Sequence, residues 1–180
     1  MRKFEFLSVL LFFSWSSFAQ KAEVEWLSFE QAIVLHEKTP KKILVDVYTT
    51  WCYYCKVMDK KTYSNTKVAS YINTHFYPVK FNAEQKEDLT YKGVTYKYIS
   101  KGRRGYHEFA VMLLEGKLSY PTTVFFDEKT QVITRLPGYL NVKSFSPILI
   151  FLADGLYETE SWDDFIKNFK PGKFYTSTIN

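Results

Sequence analysis

Apolar residues in the first half of the chain alternate between helical spacing and short continuous runs. Ser28, with Gln31 three positions later, precedes helically spaced apolar residues up to about Glu37, which predicts a capped helix. The run 42–49 is apolar and β-branched with a single acid inside it, the pattern of a strand buried on both faces. A central strand is therefore expected to follow the first helix.

Two more helices and a second strand are predicted after this run. Residues 56–60 have helical spacing, and Asn65 or Thr66 can cap a helix that contains 68–73. Residues 76–81 have the composition of a strand. The order of strand, helix and strand indicates a βαβ unit in an α/β protein.

The second half of the chain is less regular. Residues 82–104 are polar and rich in tyrosine, with a short extended piece predicted at 94–99 and a helix at 106–114. Two apolar runs separated by a turn then predict a hairpin at 123–126 and 131–136. Helical spacing follows at 142–152, interrupted or begun at Pro147, and at 162–169.

The amino terminus has the layout of a signal peptide. Arg2 and Lys3 precede an apolar run at 6–18 that ends in small residues, which predicts cleavage after Ala19. The run is short for a transmembrane helix, although an uncleaved anchor is the alternative. We expect a soluble mature protein of one domain, residues 20–180, in the periplasm or otherwise exported.

Composition and charge restrict the class of function. With 46% hydrophobic residues, the 180-residue chain can build a packed core. Its net charge of +5 is dispersed among acidic residues rather than gathered into a basic stripe. This distribution argues against a nucleic-acid partner.

The chain has two cysteines, Cys52 and Cys55. A disulfide across so short a loop adds little stability, whereas the spacing suits rapid, reversible closure. The pair stands where the predicted strand meets a helix, and backbone N–H groups at a helix start stabilise a thiolate. Cys52 is therefore the predicted nucleophile, with Cys55 deeper and less exposed.

The residues around the pair carry a family resemblance. Trp51-Cys52-x-x-Cys55-Lys56 follows a buried strand, Asp46 lies six residues before Cys52, and Tyr120-Pro121 precedes an apolar strand. With these features the chain resembles the thioredoxin superfamily, especially its exported bacterial members, over most of 43–152. The resemblance implies a three-layer α/β fold in which helices flank a central mixed sheet. An insertion at about 82–119 would precede the cis-proline loop, and an extra carboxyl-terminal helix would lie at about 161–170.

The resemblance also implies roles for single residues. Cys52 and Cys55 would form the redox disulfide, and Asp46 would take the proton of Cys55. Lys80 would lie beside Asp46, and Pro121 would be the cis-proline that contacts substrate backbone. The remaining substrate-binding residues would be Trp51, Tyr53, Tyr54 and Tyr120. The alternative for Asp46 is a core carboxylate with satisfied hydrogen bonds.

The sequence departs from the family pattern in two places, which limits how far the family's properties can be expected of this chain. Tyr53-Tyr54 replaces the usual residues between the cysteines and supplies no cation, which favours a moderately reducing enzyme. The insertion either contributes to the substrate surface or forms a small core of its own. Its candidate residues are Tyr91, Tyr96, Tyr98, Arg103, Arg104, Tyr106 and His107.

These observations predict a thiol–disulfide oxidoreductase that reduces disulfides of exported proteins. We expect a monomer that needs no organic cofactor and is reduced again by a membrane electron donor of thiol–disulfide type. Two alternatives remain: a metallochaperone that binds copper(I) through Cys52 and Cys55, and a redox-inert binding module. A structural zinc site is disfavoured because His36, His75 and His107 are scattered, and of these only His107 is expected near the active face.

Overall fold

A computed structural model describes residues 22–170 and residue 172. The predicted signal peptide at 1–19 lies outside the described residues. The helices are α1 (Phe29–Lys38), α2 (Tyr53–Met58), α3 (Thr66–His75), α4 (Glu108–Leu113), α5 (Val142–Ala153) and α6 (Trp162–Asn168). The strands are β1 (Ile43–Tyr48), β2 (Tyr77–Asn82), β3 (Leu89–Tyr91), β4 (Val94–Tyr96), β5 (Tyr98–Lys101), β6 (Arg104–His107), β7 (Thr122–Phe126) and β8 (Val132–Pro137). A π-helical turn, Asp59–Tyr63, follows α2, and a short 3-10 helix, Leu156–Glu158, follows α5.

The main sheet has four strands in the order β2-β1-β7-β8. β1 pairs in parallel with β2 and antiparallel with β7, so the predicted mixed sheet is confirmed. In this register Asp46 lies opposite Lys80 on one side and Thr123 on the other. Thr122, at the start of β7, lies opposite Val47 near the end of β1. The segments that follow β1 and precede β7 therefore meet at one edge of the sheet.

Helices cover both faces of this sheet. Side chains of β1 alternate between the faces, because Val45 and Val47 lie in one core cluster and Leu44 lies in the other. α1 and α4 cover the first face, and α3 and α5 cover the second. This is the three-layer arrangement that was expected. Asp46, two residues after Leu44, points toward the second face.

The insertion folds as two hairpins and α4 rather than as one extended piece at 94–99. β3 pairs with β4 and β5 pairs with β6, and the chain turns at Gly93 and Gly102, both of which have positive φ. The helix predicted at 106–114 begins only at Glu108, because the preceding residues pair with β5.

His107 is a buried residue at the end of β6. Its ring is fully buried, and Nδ1 accepts the Phe109 backbone N–H at the start of α4. Its Nε2 is bonded to the Glu87 carbonyl. The packing against Phe81 makes His107 a core residue of the insertion.

Pro147 neither interrupts nor begins a helix. α5 begins at Val142, and the Asn141 side chain accepts the Ser144 N–H at its start. The Phe145 N–H and the Ser146 hydroxyl donate to carbonyls one turn earlier, and these bonds keep the helix continuous past the proline. α6 is shorter than predicted and packs Phe165 against Phe151. Within the described ranges no helix combines the length and apolar character needed to span a bilayer.

Candidate functional site

The two cysteines lie at the junction of β1 and α2. Cys52 is the residue that caps α2, and its Sγ accepts the Cys55 backbone N–H at 3.1 Å. The two sulfurs form a disulfide, with the Cα atoms 5.4 Å apart. The two sulfurs therefore lie in one turn. When one of them is bonded to a substrate sulfur, the other is close enough to displace that substrate.

Both cysteines are buried, and Cys55 is slightly less exposed than Cys52, in the expected direction. Cys52 is 4% exposed and Cys55 is 2% exposed. In the disulfide each sulfur covers part of the other, which lowers the exposure of both. The side chains between them, Tyr53 and Tyr54, are 71% and 59% exposed.

Asp46, Lys80 and Asp59 form a chain of charged groups behind the cysteines. Lys80 Nζ donates to Asp46 Oδ2 at 2.6 Å and also to Asp59 Oδ1. The contact with Asp46 was expected, whereas the contact with Asp59 was not. Asp46 Oδ1 is buried without a hydrogen-bond partner among the described residues. The alternative of a fully satisfied core carboxylate therefore does not describe Asp46.

Burial raises the pKa of Asp46 to about 6, although the Lys80 ammonium partly opposes this shift. Burial alone would lower the pKa of Lys80, but the carboxylates of Asp46 and Asp59 outweigh it and the pKa is raised. The pKa of the nearby Tyr63 hydroxyl is raised by burial and by the charge of Asp46. Asp46 is consequently able to accept or release a proton near neutral pH.

Aromatic rings surround the Lys80 ammonium. Its nitrogen lies 4.9 Å from the ring centre of Trp26, 5.0 Å from that of Tyr48 and 5.4 Å from that of Tyr63. A cavity of about 370 Å³ lies alongside, lined by Glu23, Val24, Trp26, Asp59, Tyr63, Ser64 and Lys80. Asp59 is partly exposed and Asp46 is not, so Lys80 links the buried carboxylate to a group that reaches the surface.

The Tyr120–Pro121 peptide bond is cis, as the resemblance implies. The Pro121 carbonyl accepts the Gly138 N–H at 2.7 Å, and the Thr122 hydroxyl donates to the Ser119 carbonyl. These bonds fix the loop at the start of β7, next to the end of β1. The loop and the cysteine motif therefore lie on neighbouring strands at the same edge of the sheet.

Aromatic side chains line this edge, and we call the five of them the aromatic rim: Trp51, Tyr53, Tyr54, Tyr120 and Tyr139. Trp51 meets Tyr120 edge to face at 6.1 Å, and Tyr54 stacks on Tyr139 at 6.4 Å. Tyr139 was not predicted, because it meets Tyr54 only through a contact made in the folded chain. Exposed aromatic rings of this kind suit the binding of polypeptide side chains.

Contacts from the insertion hold Trp51 in place. Its Nε1 donates to Glu84 Oε2 at 2.9 Å, and the Arg104 guanidinium lies 4.4 Å from the ring centre. Other insertion residues, Leu89 and Phe109 among them, are buried in the main core. The insertion therefore packs into the main core instead of forming a small core of its own, and it also contacts the cysteine motif.

The three histidines are distributed through the fold. His36 is bonded to the Lys41 carbonyl, His75 stacks on Tyr71, and His107 is in the core. Within the described part of the chain there is no group of three or more His, Cys, Asp or Glu side chains arranged to bind a metal.

Comparison with solved structures gives matches of the same fold. A thioredoxin-fold protein from Helicobacter pylori has a TM-score of 0.53 at 21% identity, covering 77% of this chain and 83% of its own. A thioredoxin from Thermus thermophilus has a TM-score of 0.56 at 17% identity, covering 78% and 98%. A candidate disulphide isomerase from Bacteroides thetaiotaomicron has a TM-score of 0.52 at 27% identity, covering 79% and 100%.

The sequence itself also identifies the family. No curated protein sequence matches the chain significantly. The family model of the thioredoxin-like domain matches residues 29–153, which is more than half of the chain. This match spans α1 to the end of α5 and includes both cysteines, Asp46, Lys80 and Pro121. The chain therefore belongs to the thioredoxin-like domain family.

Proposed function

We propose that the protein is a thiol–disulfide oxidoreductase that reduces disulfides of exported proteins through Cys52 and Cys55. The observation that carries the proposal is the bonded pair at the start of α2, where Cys52 Sγ accepts the Cys55 N–H. A backbone N–H bonded to this sulfur favours the thiolate, which is the attacking form. The likeness to a candidate disulphide isomerase is in keeping with this chemistry.

The proposed cycle begins with the dithiol form of the protein. The Cys52 thiolate attacks a substrate disulfide, and one substrate sulfur leaves as a thiolate that takes up a proton. Cys55 then gives its proton to Asp46 and attacks Cys52, and the second substrate sulfur leaves as a thiolate that takes up a proton from water. The substrate disulfide has gained two electrons and two protons, and the protein has become the Cys52–Cys55 disulfide.

Asp46 suits the step in which Cys55 loses its proton. Its raised pKa, about 6, makes the carboxylate a stronger base than an ordinary aspartate. Lys80 bonds only one carboxylate oxygen, and Oδ1 has no partner among the described residues. Asp59, bonded to the same ammonium and partly exposed, offers a route by which the proton can later reach the surface.

The proposed location outside the cytoplasm rests on the amino-terminal sequence. Arg2, Lys3 and the apolar run up to Ala19 have the signal-peptide pattern. A soluble exported reductase needs a source of electrons, for which we propose a membrane protein that donates them through its own dithiol. The aromatic rim and the Pro121 loop supply the surface for a polypeptide substrate.

A redox titration tests whether the protein is suited to reduce disulfides or to form them. The purified protein is equilibrated with mixtures of reduced and oxidised dithiothreitol or glutathione, and the fraction with free thiols is measured by alkylation. Because Tyr53-Tyr54 supplies no cation, we expect a potential closer to about −270 mV than to about −120 mV. A value near −120 mV would contradict the reductase proposal. Stoichiometric copper(I) binding without any disulfide reduction would support the metallochaperone instead.

A further inference from the structure

The β5–β6 hairpin is fixed firmly to the core at its base. The His107 N–H donates to the Ala83 carbonyl at 2.7 Å, and the His107 ring is fully buried. Tyr98 lies across Gly105 so closely that a Cβ at this glycine would be 2.3 Å from the Tyr98 hydroxyl oxygen. The hairpin therefore has little freedom to move relative to the sheet.

The hairpin also reaches the cysteine motif. Arg104, the first residue of β6, places its guanidinium over the ring of Trp51, which immediately precedes Cys52. The other polar contact of Trp51 is its bond to Glu84. Since the tryptophan is held from both sides, the hairpin tip and the aromatic rim form one continuous surface beside the disulfide.

The tip of this hairpin is positively charged and its charges are not neutralised. Lys101, Arg103 and Arg104 are all exposed. Among the described residues, no carboxylate lies within salt-bridge distance of any of the three. The Glu84 carboxylate meets this surface through its bond to Trp51. A group of three unpaired cations next to a reactive disulfide attracts anionic partners.

We propose that the β5–β6 hairpin is a specificity element that favours disulfide-bonded polypeptides with acidic residues close to the reacting cysteine. This inference rests on the proposed reductase function and names its substrate class. Carboxylates of the bound segment interact with Lys101, Arg103 and Arg104 while its apolar side chains pack on the aromatic rim. Such complementarity acts mainly on the rate of association.

A polypeptide fits these features better than an anionic membrane does. Membrane-binding basic clusters usually contain four to eight cations, and here there are three. Arg104 also packs on Trp51, whose ring contacts Tyr120 of the cis-proline loop, and these groups suit side chains and an extended backbone. Anionic lipid is therefore the alternative that the test has to separate.

The test compares two peptides that contain the same disulfide, one flanked by acidic residues and one by lysines. Pre-reduced protein is mixed with each peptide, and the second-order rate of thiol release is measured over a single turnover. Two electrons pass from Cys52 and Cys55 to the peptide, so no other reductant is needed. At an ionic strength of about 0.01 M we expect the acidic peptide to react about 10-fold faster, and at about 1 M we expect this preference to fall to about 2-fold.

A double variant, K101E with R103E, is expected to reverse the preference for the acidic peptide. The matched control, K38E with K129E, changes the net charge equally but at the opposite end of the sheet, where both lysines are exposed. The control should keep the preference, and thermal unfolding checks that both double variants are folded. Equal rates for the two peptides in the parent protein would overturn the specificity inference alone, whereas no thiol release from either would overturn the reductase function.

Binding to vesicles is measured in parallel. Vesicles with about 30% anionic phospholipid probe the membrane alternative, because their surface potential attracts basic segments. We expect no binding that depends on Lys101 and Arg103. Binding that is lost in the K101E and R103E double variant, combined with equal peptide rates, would assign the hairpin to a membrane surface and overturn the proposal.

Discussion

Replacing Cys52 with Ser is expected to reduce disulfide reduction to the uncatalysed rate, a fall of about a thousand-fold or more. The hydroxyl is a far weaker nucleophile than the thiolate that is stabilised by the Cys55 N–H. The fold should survive the change, because Ser is itself a preferred residue at the start of a helix and α2 keeps its cap. The measurement is the release of thiols from a disulfide-bonded polypeptide with dithiothreitol as the electron source.

The matched variant is Cys55→Ser, which removes the other sulfur of the same pair. It keeps the attacking thiolate but lacks the group that resolves the mixed disulfide, so each cycle should halt at the mixed disulfide until dithiothreitol releases it. Full activity in Cys52→Ser would show that the two-cysteine mechanism is wrong. The redox-inert binding module predicts instead that the parent protein reduces disulfides no faster than Cys52→Ser does.

Asp46→Asn is expected to slow the resolving step about 10- to 100-fold near pH 7. The amide cannot accept the Cys55 proton, whereas the carboxylate, with a pKa of about 6, can do so. In the parent protein the rate should rise with pH through about 6, and in the variant this rise should be absent. The rate is measured by rapid mixing of reduced protein with a disulfide peptide, and an unchanged pH profile in the variant would remove Asp46 from the proton pathway.

The same variant makes a second measurement possible, because the buried carboxyl also affects stability. Burial raises the pKa of Asp46 from 3.8 to about 6, so the folded state holds this proton more tightly than the unfolded chain does. The resulting stability is present below about pH 4 and is lost as the pH rises through about 6. A difference of about two in pKa corresponds to about 3 kcal/mol.

Oxidised protein is used for this measurement, so that the cysteines do not titrate. Between about pH 4 and pH 7 the free energy of unfolding should fall by about 3 kcal/mol in the parent protein relative to Asp46→Asn. The exposed Asp163→Asn serves as the control and should follow the parent protein. Parallel curves for the parent and Asp46→Asn would contradict the raised pKa.

The regular parts of the fold follow from local sequence patterns. The pair Ser28 and Gln31 predicts the capping box that the structure shows at α1. The apolar run at 42–49 predicts a buried strand, since a strand with helices on both sides needs apolar side chains on both faces. The hairpin of β7 and β8 is likewise recognised from two apolar runs and a turn.

The insertion was harder to predict because its strands are short and half exposed. Strands of three residues, such as β3 and β4, are too short for an alternation of apolar and polar residues to distinguish them from a polar loop. The burial of His107 was not predicted for a related reason. Its burial depends on Phe81 and on the Glu87 carbonyl, which are far from it in sequence.

The residues of the candidate site were likewise predicted only in part. Cys52, Cys55, Asp46 and Pro121 were found because they carry a motif at fixed spacing. Their supporting residues carry no such signal, since each meets the site through a contact made only in the folded chain. These residues are Trp26, Asp59, Tyr63, Glu84 and Tyr139.

The most direct test of the central claim is to trap the mixed disulfide. Reduced Cys55→Ser protein is mixed with a disulfide-bonded polypeptide, and the products are separated without reductant and examined by mass spectrometry. We expect a covalent one-to-one adduct through Cys52 that dithiothreitol releases, and no adduct with the Cys52→Ser protein. If no adduct forms, or if it forms equally well when Cys52 is absent, Cys52 is not the nucleophile and the proposed mechanism is contradicted.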